Sequence, residues 1–306
     1  YDRYGNQTEW ICYGANQEPC LQSDNTSGYI AEYNEQGFVV KLTNVDNEIK
    51  PCKDIYGIVV WTKEYDKRGN VTKVSYFDEN NKPILSNEKI AGVNYLYDDY
   101  GNEIERNFFN IQGKPCLLSN RYSKEVYTYD NNGNLLRERY YNLNNKLALN
   151  DDGLAGHDYV RDERGNLLED TPVGTDGKLK KGKLKSKYKY DKFDNEIEFA
   201  VYDSNGPAIN QYNYHRYVCK YNSRNQLTEI AYYGTKGELV CYNDDKFAIQ
   251  QQQYDIRGHR SSCTYFGKNK QPVVCNEGWH TSTYEYDAQG RITRQLFYGL
   301  DGKPTN

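Results

Sequence analysis

The chain has 306 residues, a formal net charge of −4 at pH 7 and a mean hydropathy of −0.99. This acidic balance gives no general electrostatic attraction to nucleic acid, and no apolar run approaches the roughly 18 residues of a membrane-spanning helix. With 32 Tyr, 9 Phe and 3 Trp, the composition is not that of a disordered chain, which lacks aromatics. We therefore expect a thin β structure with much exposed surface.

A Tyr-Asp pair, or a close variant of it, recurs along the whole chain. The successive spacings are 32, 32, 32, 32, 32, 29, 31, 33 and 32 residues, which defines ten units. We number each unit from the residue in the Tyr place, which is position 0. These residues are Tyr1, Tyr33, Tyr65, Tyr97, Tyr129, Arg161, Tyr190, Tyr221, Tyr254 and Tyr286.

The residues after position 0 predict a tight turn in every unit. Position +1 is Asp or Asn throughout, and an Asx side chain can accept a hydrogen bond from the backbone two residues later. Position +4 is Asp194 or Asn225 in two units, and both residue types tolerate positive φ. We predict a hairpin turn with a G1-type bulge. The other eight units place a glycine at +4: Gly5, Gly37, Gly69, Gly101, Gly133, Gly165, Gly258 and Gly290.

Positions +11 and +12 form an aromatic pair in six units. Adjacent residues of a strand point to opposite faces, so one ring of each pair should pack inward and the other should lie on the outer face. Sugars stack on ring faces, which makes these rings candidate ligand-stacking residues. They are Tyr76, Phe77, Phe108, Phe109, Tyr140, Tyr141, Tyr232, Tyr233, Tyr265, Phe266, Phe297 and Tyr298.

Position +18 is Pro or Leu in nine units and predicts a second turn, followed by a short third strand or loop. No segment shows the apolar period of a helix. A single hairpin cannot bury its apolar face alone, so neighbouring units must stack. The predicted fold is all-β: a tandem β-hairpin repeat array, in the form of a solenoid or spiralling sheet, with ten units of about 32 residues.

The predicted organisation is a single repeat array over residues 1–306, with an irregular unit at 151–189. That unit has Arg161 at position 0 and ends in the lysine-rich stretch KLKKGKLKSKYKY. Two interpretations stay open for the lysine run: a solvated turn, or a patch for an anionic partner. The array starts at a position 0 and stops inside a unit, so we expect an excerpt of a longer array.

Stretches such as YEYDAQGRITR (284–294) and YTYDNNGNLLRERYY (127–141) closely resemble the tyrosine-aspartate repeats of the Rhs family. The resemblance covers the Tyr-Asp-x-x-Gly half of nearly every unit. Rhs units are typically shorter and lack the Gly-Lys-Pro turn that this sequence adds. The resemblance implies a spiral of β-hairpins and a bacterial cell-surface or secreted setting.

Eight cysteines suggest a redox setting. Cys12 with Cys20, and Cys263 with Cys275, are each placed symmetrically about the second turn of their unit, as residues that face each other across a hairpin are. We predict disulfides Cys12–Cys20 and Cys263–Cys275, with buried free thiols and a Cys20–Cys52 pairing as alternatives. The oxidation state of Cys52, Cys116, Cys219 and Cys241 stays open.

No catalytic or cofactor motif is recognisable in the sequence. We assign His157, His215, His259 and His280 to different units and different registers, without a Ser, Cys or carboxylate at a catalytic spacing. The ten Asp and Asn residues at +1 are explained by turn formation. Calcium ligation by these rows is an alternative, although the calcium-binding nonapeptide repeat is absent.

The sequence predicts a non-enzymatic, extracellular or cell-surface structural or adhesive protein without catalytic residues, metal or cofactor. Stalk, coat or filament scaffold are the expected roles, with self-association or other surface proteins as partners. No nucleic acid is expected as a partner and no membrane insertion within these residues. A carbohydrate-binding repeat module is the first alternative, with glycans as ligands. A segment of a toxin-complex shell is the second.

Overall fold

The computed structural model describes residues 1–119, 121–243 and 245–305. Within these ranges the chain forms twenty β-strands and no helix, and thus no helix long and apolar enough to cross a membrane. The predicted all-β hairpin repeat array is confirmed. By its internal contacts the chain divides into two compact regions, which we call N-terminal (Tyr1–His157 with Val173–Lys178) and C-terminal (Asp158–Pro172 with Leu179–Asn306).

The N-terminal region contains nine complete strands. They are β1 (Glu9–Ile11), β2 (Gly28–Tyr33), β3 (Val39–Val45), β4 (Val60–Tyr65), β5 (Val71–Phe77), β6 (Gly92–Tyr97), β7 (Glu103–Phe109), β8 (Lys124–Tyr129) and β9 (Leu135–Tyr141). Two strands, β10 (Gly156–Arg161) and β11 (Leu167–Val173), have residues in both regions.

The C-terminal region contains the remaining nine strands. They are β12 (Lys185–Tyr190), β13 (Glu196–Asp203), β14 (Gly206–Pro207), β15 (Arg216–Tyr221), β16 (Leu227–Tyr233), β17 (Ile249–Tyr254), β18 (Arg260–Phe266), β19 (Thr281–Tyr286) and β20 (Ile292–Tyr298).

Each repeat is built on one antiparallel hairpin, as β6 and β7 illustrate. Val93 lies opposite Phe108 along the hairpin, and the register shifts by one residue between Leu96 and Tyr97. A shift of this kind marks a β-bulge next to the turn. The second strand then pairs over only three residues with β8, the first strand of the next hairpin, so that Arg106 lies opposite Glu125. Long and short antiparallel pairings therefore alternate from one strand pair to the next.

The predicted first turn is present in every unit. All eight glycines at +4 have positive φ, between 80° and 95°, and the turn prediction is confirmed at each of them. Asp194 at φ 64° and Asn225 at φ 59° adopt the same conformation. Their short polar side chains tolerate this left-handed backbone better than other non-glycine residues.

The second turn is also present, and the structure adds a third that the sequence did not predict. Residues +12 and +18 bridge the second turn, as in Phe77 with Pro83. A few residues later, the Ser86 N–H donates to the Ile90 carbonyl at 2.8 Å and the Lys89 N–H donates back to Ser86 at 3.0 Å. The predicted short strand or loop is therefore a regular turn in most units.

The third turn is also where the irregular sixth unit is shortened. In the fifth unit this turn spans Asn150 to Leu154, which are joined by a 2.8 Å bond. In the sixth unit the Lys180 N–H pairs with Pro172, and Lys183 donates directly back to Lys180 at 2.9 Å. The three missing residues thus shorten the third turn and leave the flanking strands β11 and β12 in place.

The hairpins have two unlike faces because side chains alternate along a strand. On the face that we call inner, Val93, Phe108, Tyr122 and Tyr140 form a buried cluster of the N-terminal region. Tyr122 belongs to a third turn, so the turn segments help to cover this face. The opposite face, which we call outer, carries mainly polar and charged residues.

Candidate interaction surface

The Asp at position +1 organises the first turn. Asp98 Oδ1 accepts hydrogen bonds from the backbone N–H groups of Tyr100 and Asn102, both at 2.9 Å. Its Oδ2 accepts a third bond, from the Asn102 amide at 2.9 Å. The same three bonds recur around Asp66 and Asp191. A single side chain therefore satisfies two backbone donors and fixes the turn.

These bonds also hold the carboxylates in their charged form. The amide of Asn70 lowers the pKa of Asp66, helped by two backbone N–H groups. The pKa of Asp98 is lowered in the same way, first by the Asn102 amide. Hydrogen bonds that only the ionised form accepts favour that form. The recurrent Asp thus has a complete structural explanation.

The tyrosine at position 0 joins one unit to the unit before it. The Tyr65 hydroxyl donates to the Val39 carbonyl at 2.7 Å, and the Tyr97 hydroxyl donates to Val71 at 2.9 Å. In the C-terminal region, Tyr254 does the same with Leu227 at 2.8 Å. Each bond spans about one repeat and ends on residue +6 of the preceding unit. Partial burial raises the pKa of these hydroxyls, as at Tyr65, so the donor stays protonated.

Arginines at position +3 make a second link between neighbouring first turns. Arg224 donates to the Ile256 carbonyl at 2.7 Å, and Arg257 donates to the Asp287 carbonyl at 2.9 Å. Arg164 reaches the Asp191 carbonyl at 3.0 Å. Other units place an aromatic ring at +3, and Tyr100 there is 84% exposed. Position +3 carries no signal within a single unit and becomes visible only when the ten units are aligned in register.

Third turns are joined mainly through the backbone, with some side-chain bonds, such as the one from the Asn87 amide to the Ile55 carbonyl at 2.8 Å. The Asn87 N–H donates to the Tyr56 carbonyl at 2.8 Å, and the Ser119 N–H donates to Glu88 at 2.7 Å. The C-terminal region repeats the bond between Asn243 and Tyr212 at 2.7 Å. These backbone links need an N–H and a carbonyl but no particular side chain. No sequence signal marks them for that reason.

The candidate ligand-stacking rings at +11 lie on the inner face. Phe108, Tyr140 and Tyr232 are buried, and Tyr76 packs against the N-terminal cluster. Tyr265 packs against the corresponding C-terminal cluster. Phe297, the last of this set, packs against Trp279 in a tilted arrangement with centroids 4.2 Å apart. These six rings therefore contribute to the core.

The rings at +12 lie on the outer face, and cations cover several of them. Lys124 lies 5.4 Å from the Tyr141 centroid, and Arg216 lies 4.9 Å from that of Tyr233. Phe109 is buried, with Lys73 at 5.6 Å from its centroid. Ligand stacking on the +12 set stays a prediction. The remaining members, which are half-buried, are Phe77, Phe266 and Tyr298.

Cross-strand ion pairs distinguish the outer face of most hairpins. Lys73 contacts Glu64 at 3.2 Å across β4 and β5, and Lys41 contacts Glu32 at 3.0 Å. Opposite charges facing each other across a strand pair stabilise it modestly. The lysine-rich stretch follows this pattern in part, since Lys189 pairs with Glu198 at 2.7 Å. It thus forms ion pairs within the sheet as well as exposed turns.

One carboxylate of the N-terminal region is buried against the aromatic core and is paired with a half-exposed arginine. Glu125 is 7% exposed and accepts a 2.8 Å bond from the Tyr122 hydroxyl and another from Tyr127. Arg106 approaches the same carboxylate at 3.3 Å and also pairs with Glu103 at 2.9 Å. Buried charges need partners of this kind. The Glu125 carboxylate is thus satisfied by partners within the protein.

All eight cysteines are free thiols in the structure. Cys12 and Cys20 face each other across the second turn of the first unit, with their sulfurs 3.4 Å apart. Cys263 and Cys275 are both buried. The sulfur of Cys52 approaches the Asn25 carbonyl at 3.9 Å, in the unit before its own. The two predicted disulfides stay predictions.

Two histidines share one register, and His259 and His280 share the ninth unit (254–285), so the assignment of the four histidines to different units and different registers was wrong. His215 and His280 both lie six residues before a position 0, where other units have a small or apolar residue such as Ala91 or Ala248. The His215 ring nitrogen Nδ1 bonds to the Val201 carbonyl at 2.8 Å. Nδ1 of His280 bonds to the Val273 carbonyl at 3.1 Å. Both rings are therefore held by backbone carbonyls.

Within residues 1–119, 121–243 and 245–305, no group of three or more His, Cys, Asp or Glu side chains could hold a metal ion. The recurrent polar groups instead form turns and links between units. Two surfaces are therefore available to a partner: the row of first turns with exposed +3 residues, and the outer face of polar side chains. Each of them recurs once per unit.

No protein-family model matches the chain, and no curated protein matches it in sequence. Among solved structures, it is similar to TcdB2-TccC3-Cdc42 at 12% identity and a TM-score of 0.43, covering 94% of this chain and 15% of that chain. It is also similar to TcdB2-TccC3-TEV at 13% identity and a TM-score of 0.34, covering 97% and 18%.

A further similar structure is the Photorhabdus luminescens Tc holotoxin pore with a mutated TccC3. There the identity is 14% and the TM-score 0.27, and the likeness covers 94% of this chain and 16% of that chain. The chain thus spans less than a fifth of the length of each of these three chains. At TM-scores below 0.5, these likenesses support no conclusion about activity or partners.

Proposed function

We propose that this protein is a non-enzymatic structural repeat protein of the cell exterior, which serves as a surface stalk, coat or filament scaffold. The observation that supports this function is the use of the recurrent residues. The Tyr, Asp and Arg of the repeat form turns or join one unit to the next, as Tyr65 does with Val39 at 2.7 Å. A scaffold needs continuity along its length and no single active site.

Neighbouring hairpins are joined by three kinds of bond, as the hairpin β2–β3 and the hairpin β4–β5 illustrate. Leu42 lies opposite Trp61 in the strand pairing, the Tyr65 hydroxyl donates to the Val39 carbonyl, and the Asn87 N–H donates to the Tyr56 carbonyl at 2.8 Å. These contacts lie at different places across the width of the unit. They would resist bending of one unit against the next in more than one direction, which suits a stalk or filament.

Association with other copies or with other surface proteins is part of the proposal. The first turns offer exposed residues at +3, such as Tyr4 at 72% and Tyr100 at 84% exposure. Exposed aromatic residues of this kind are enriched in protein interfaces. A toxin-complex shell segment is the remaining structural alternative, and its support is the tyrosine-aspartate resemblance of the sequence.

The location can be tested with an antibody raised against the folded chain. We expect it to label intact source cells, or filaments attached to them, without permeabilisation. A cytoplasmic protein of the same cells, probed in parallel, controls for lysis. Labelling that appears only after permeabilisation would contradict the extracellular scaffold.

The mechanical role can be tested by pulling the full chain in a single-molecule force experiment. Tyr65→Phe removes the hydroxyl donor to Val39 and should lower the unfolding force of that junction. Tyr100→Phe, an exposed residue outside the strands, is the matched control and should leave the force unchanged. Equal forces for the wild type and Tyr65→Phe would show that this link carries no load.

A further inference from the structure

The outer face of the hairpin β17–β18 differs from all others in having no charged side chain. Its six outer positions are Ile249, Gln251, Gln253, Ser262, Thr264 and Phe266. In every other unit from the second to the tenth, at least one of the equivalent six positions is charged. Where the third unit has the Glu64–Lys73 ion pair, the ninth has Gln253 opposite Ser262.

Three adjoining depressions follow this uncharged face. The first, of about 530 Å³, lies between neighbouring first turns and is lined by Arg224, Gln253 and Tyr254. The second, of about 410 Å³, shares Gln253 with it and continues past Gln251 and Thr264 to Phe266. Both volumes lie in the range typical of small-ligand sites.

The third depression, of about 260 Å³, continues from Gln251 and Phe266 to Tyr233. Consecutive depressions thus share residues and form one groove along the strand direction. We call this groove the glutamine trough and define it by Thr228, Tyr233, Gln251, Gln253, Thr264 and Phe266. All six residues belong to the C-terminal region.

The strands beneath the trough are paired on both sides along their middle. β17 pairs with β16 on one side, where Ile230 lies opposite Gln250, and with β18 on the other. β18 is in turn paired with β19. Neither strand is a sheet edge, which a peptide would need in order to add as a further strand. The trough therefore offers a ligand mainly side chains.

Those side chains suit a neutral ligand rich in hydroxyl groups. A Gln amide offers two donors and an acceptor, and a Thr hydroxyl both donates and accepts, as the hydroxyls of a sugar do. Among the described residues, the Gln253 amide has no hydrogen-bond partner, and the Gln251 amide nitrogen is bound to Glu229 at 2.8 Å while its oxygen stays available. Two polar partners of complementary kind thus lie in one groove.

Polar and apolar surface favour the same ligand class. Lys220 at the wall of the trough is neutralised by Glu229 at 2.7 Å, and Arg224 at its first-turn end donates to the Ile256 carbonyl at 2.7 Å. Lys270 lines the third depression. Removing water from amides and hydroxyls costs less than removing it from charges. The half-buried rings of Phe266 and Tyr233 supply the apolar surface on which the C–H face of a sugar ring can pack.

We propose that the glutamine trough is a binding site for a neutral oligosaccharide that lies along the strands from the first turn toward Tyr233. The inference goes beyond the scaffold function, which needs no ligand. The sequence predicted sugar stacking on all of the aromatic pairs, whereas the proposed site is a single groove. Of the twelve candidate rings, two line it.

The test uses the full chain and isothermal titration calorimetry with defined probes. These are neutral hexasaccharides of the cello-, malto-, laminari- and N-acetylchito- series, together with a sulfated oligosaccharide. We expect saturable binding of at least one neutral probe and weaker binding of the sulfated one. If no neutral probe saturates, or if the sulfated probe binds best, the proposal is wrong.

A double variant, Gln253→Glu with Ser262→Lys, rebuilds at this hairpin the ion pair that Glu64 and Lys73 form in the third unit. The fold should be kept, because the sheet already accommodates that pair elsewhere. Binding of the neutral probe should fall by about tenfold or more, since the trough loses an amide and gains charges that hold water. Unchanged binding would place the ligand elsewhere and overturn the proposal.

Single substitutions give the matched comparison. Gln251→Ala should weaken binding, whereas Thr62→Ala, at the equivalent position of the third unit, should not. Equal losses in the two variants would overturn the site.

Sedimentation velocity tests the competing occupant, a second copy of the chain. If the double variant turns a dimer into a monomer, the trough is a contact between copies and the sugar proposal fails.

Discussion

The first and third turns of a unit close with the same pair of backbone hydrogen bonds, yet only the first has a fixed sequence. In a first turn, the backbone N–H of Asp98 donates to the Asn102 carbonyl at 3.0 Å, and the N–H of Gly101 donates to the Asp98 carbonyl at 3.2 Å. In a third turn, the N–H of Ser86 donates to the Ile90 carbonyl at 2.8 Å, and the N–H of Lys89 donates to the Ser86 carbonyl at 3.0 Å. The backbone geometry is therefore not what distinguishes them.

The two turns differ in how they are joined to the neighbouring unit. First turns are held by side chains, namely the hydroxyl at position 0 and, in several units, the guanidinium at +3. Third turns are held mainly by backbone groups, as between Asn87 and Tyr56, although the Asn87 amide also donates to the Ile55 carbonyl at 2.8 Å. A link through a side chain constrains the residue type, whereas a link through the backbone constrains only the path of the chain. Sequence regularity in this protein therefore reports side-chain links.

The largest expected difference between the two turns concerns their glycines. Gly69 of a first turn has φ 88°, and an added Cβ would lie 2.8 Å from the Phe38 ring. Gly153 of a third turn has φ 72° and nothing within 4 Å. Left-handed strain costs about 1–2 kcal/mol, and overpacking costs about 1–3 kcal/mol more. We expect Gly69→Ala to cost about 3 kcal/mol and Gly153→Ala about 1 kcal/mol.

Urea unfolding of the full chain, followed by Trp fluorescence, measures this difference. Trp10 and Trp61 report on the N-terminal region that contains both glycines. Gly101→Ala is a useful control, because Gly101 is a first-turn glycine with φ 89° and no atom within 4 Å of the added Cβ. It should behave like Gly153→Ala. If Gly69→Ala costs no more than Gly101→Ala, the Phe38 contact has no energetic role.

The second turn can be strengthened covalently if its cysteines oxidise. Cys12 and Cys20 have their sulfurs 3.4 Å apart, and closing this short loop should raise the stability of the first unit. Mass spectrometry of non-reduced digests should find Cys12 linked to Cys20 and Cys263 linked to Cys275. Free thiols at all four positions in protein taken from its native location would contradict both pairings.

A smaller effect is expected from removing one hydroxyl link between units. Tyr97→Phe deletes the 2.9 Å bond to the Val71 carbonyl and leaves the ring in place. A net loss of about 1 kcal/mol follows from the usual contribution of such a bond. Tyr100→Phe, three residues later on the exposed turn, should change stability by less than about 0.5 kcal/mol. Equal effects would mean that the position 0 hydroxyl does not join the units.

The smallest effect should be the acid sensitivity of a single first turn. The pKa of Asp98 is lowered in the folded chain by the Asn102 amide and by backbone donors. A lowered folded pKa means that the contribution is present above the unfolded pKa and is lost as the pH falls through the folded value. We expect the urea concentration at the unfolding midpoint to fall as the pH is lowered from about 5 to about 2. Asp98→Asn should slightly reduce this dependence of the midpoint on pH. An unchanged dependence would show that Asp98 titrates alike in both states.

The parts of the fold that depend on side chains could be predicted from the sequence. Asp or Asn at +1 with Gly at +4 predicted the first turn, and the positive φ at Asp194 and Asn225 follows from the same steric rule. The alternation of Phe108 and Phe109 between two faces followed from the pleat of a strand. These features are local, so a short stretch of sequence determines them.

The parts that depend on backbone or on distant neighbours could not be predicted in this way. The third turn tolerates Ser86 and Lys89 as well as Asn150 and Gly153, so no residue pattern identifies it. The glutamine trough depends on the absence of charge at six positions on two strands. Aligning the ten units in register would have shown that absence, as well as the register that His215 and His280 share.

The tolerance of the third turn has a practical consequence for protein engineering. The sixth unit is three residues short at this turn. In the eighth unit the turn is one residue longer, since the Tyr242 N–H donates to the Phe247 carbonyl, five residues later, where Ser86 donates to Ile90, four residues later. A graftable loop is one that accepts changes of length without loss of the fold. Each unit adds two strands, so consecutive third turns lie roughly 10 Å apart within a region. Short peptides inserted into the third turns would be displayed at regular intervals of that size.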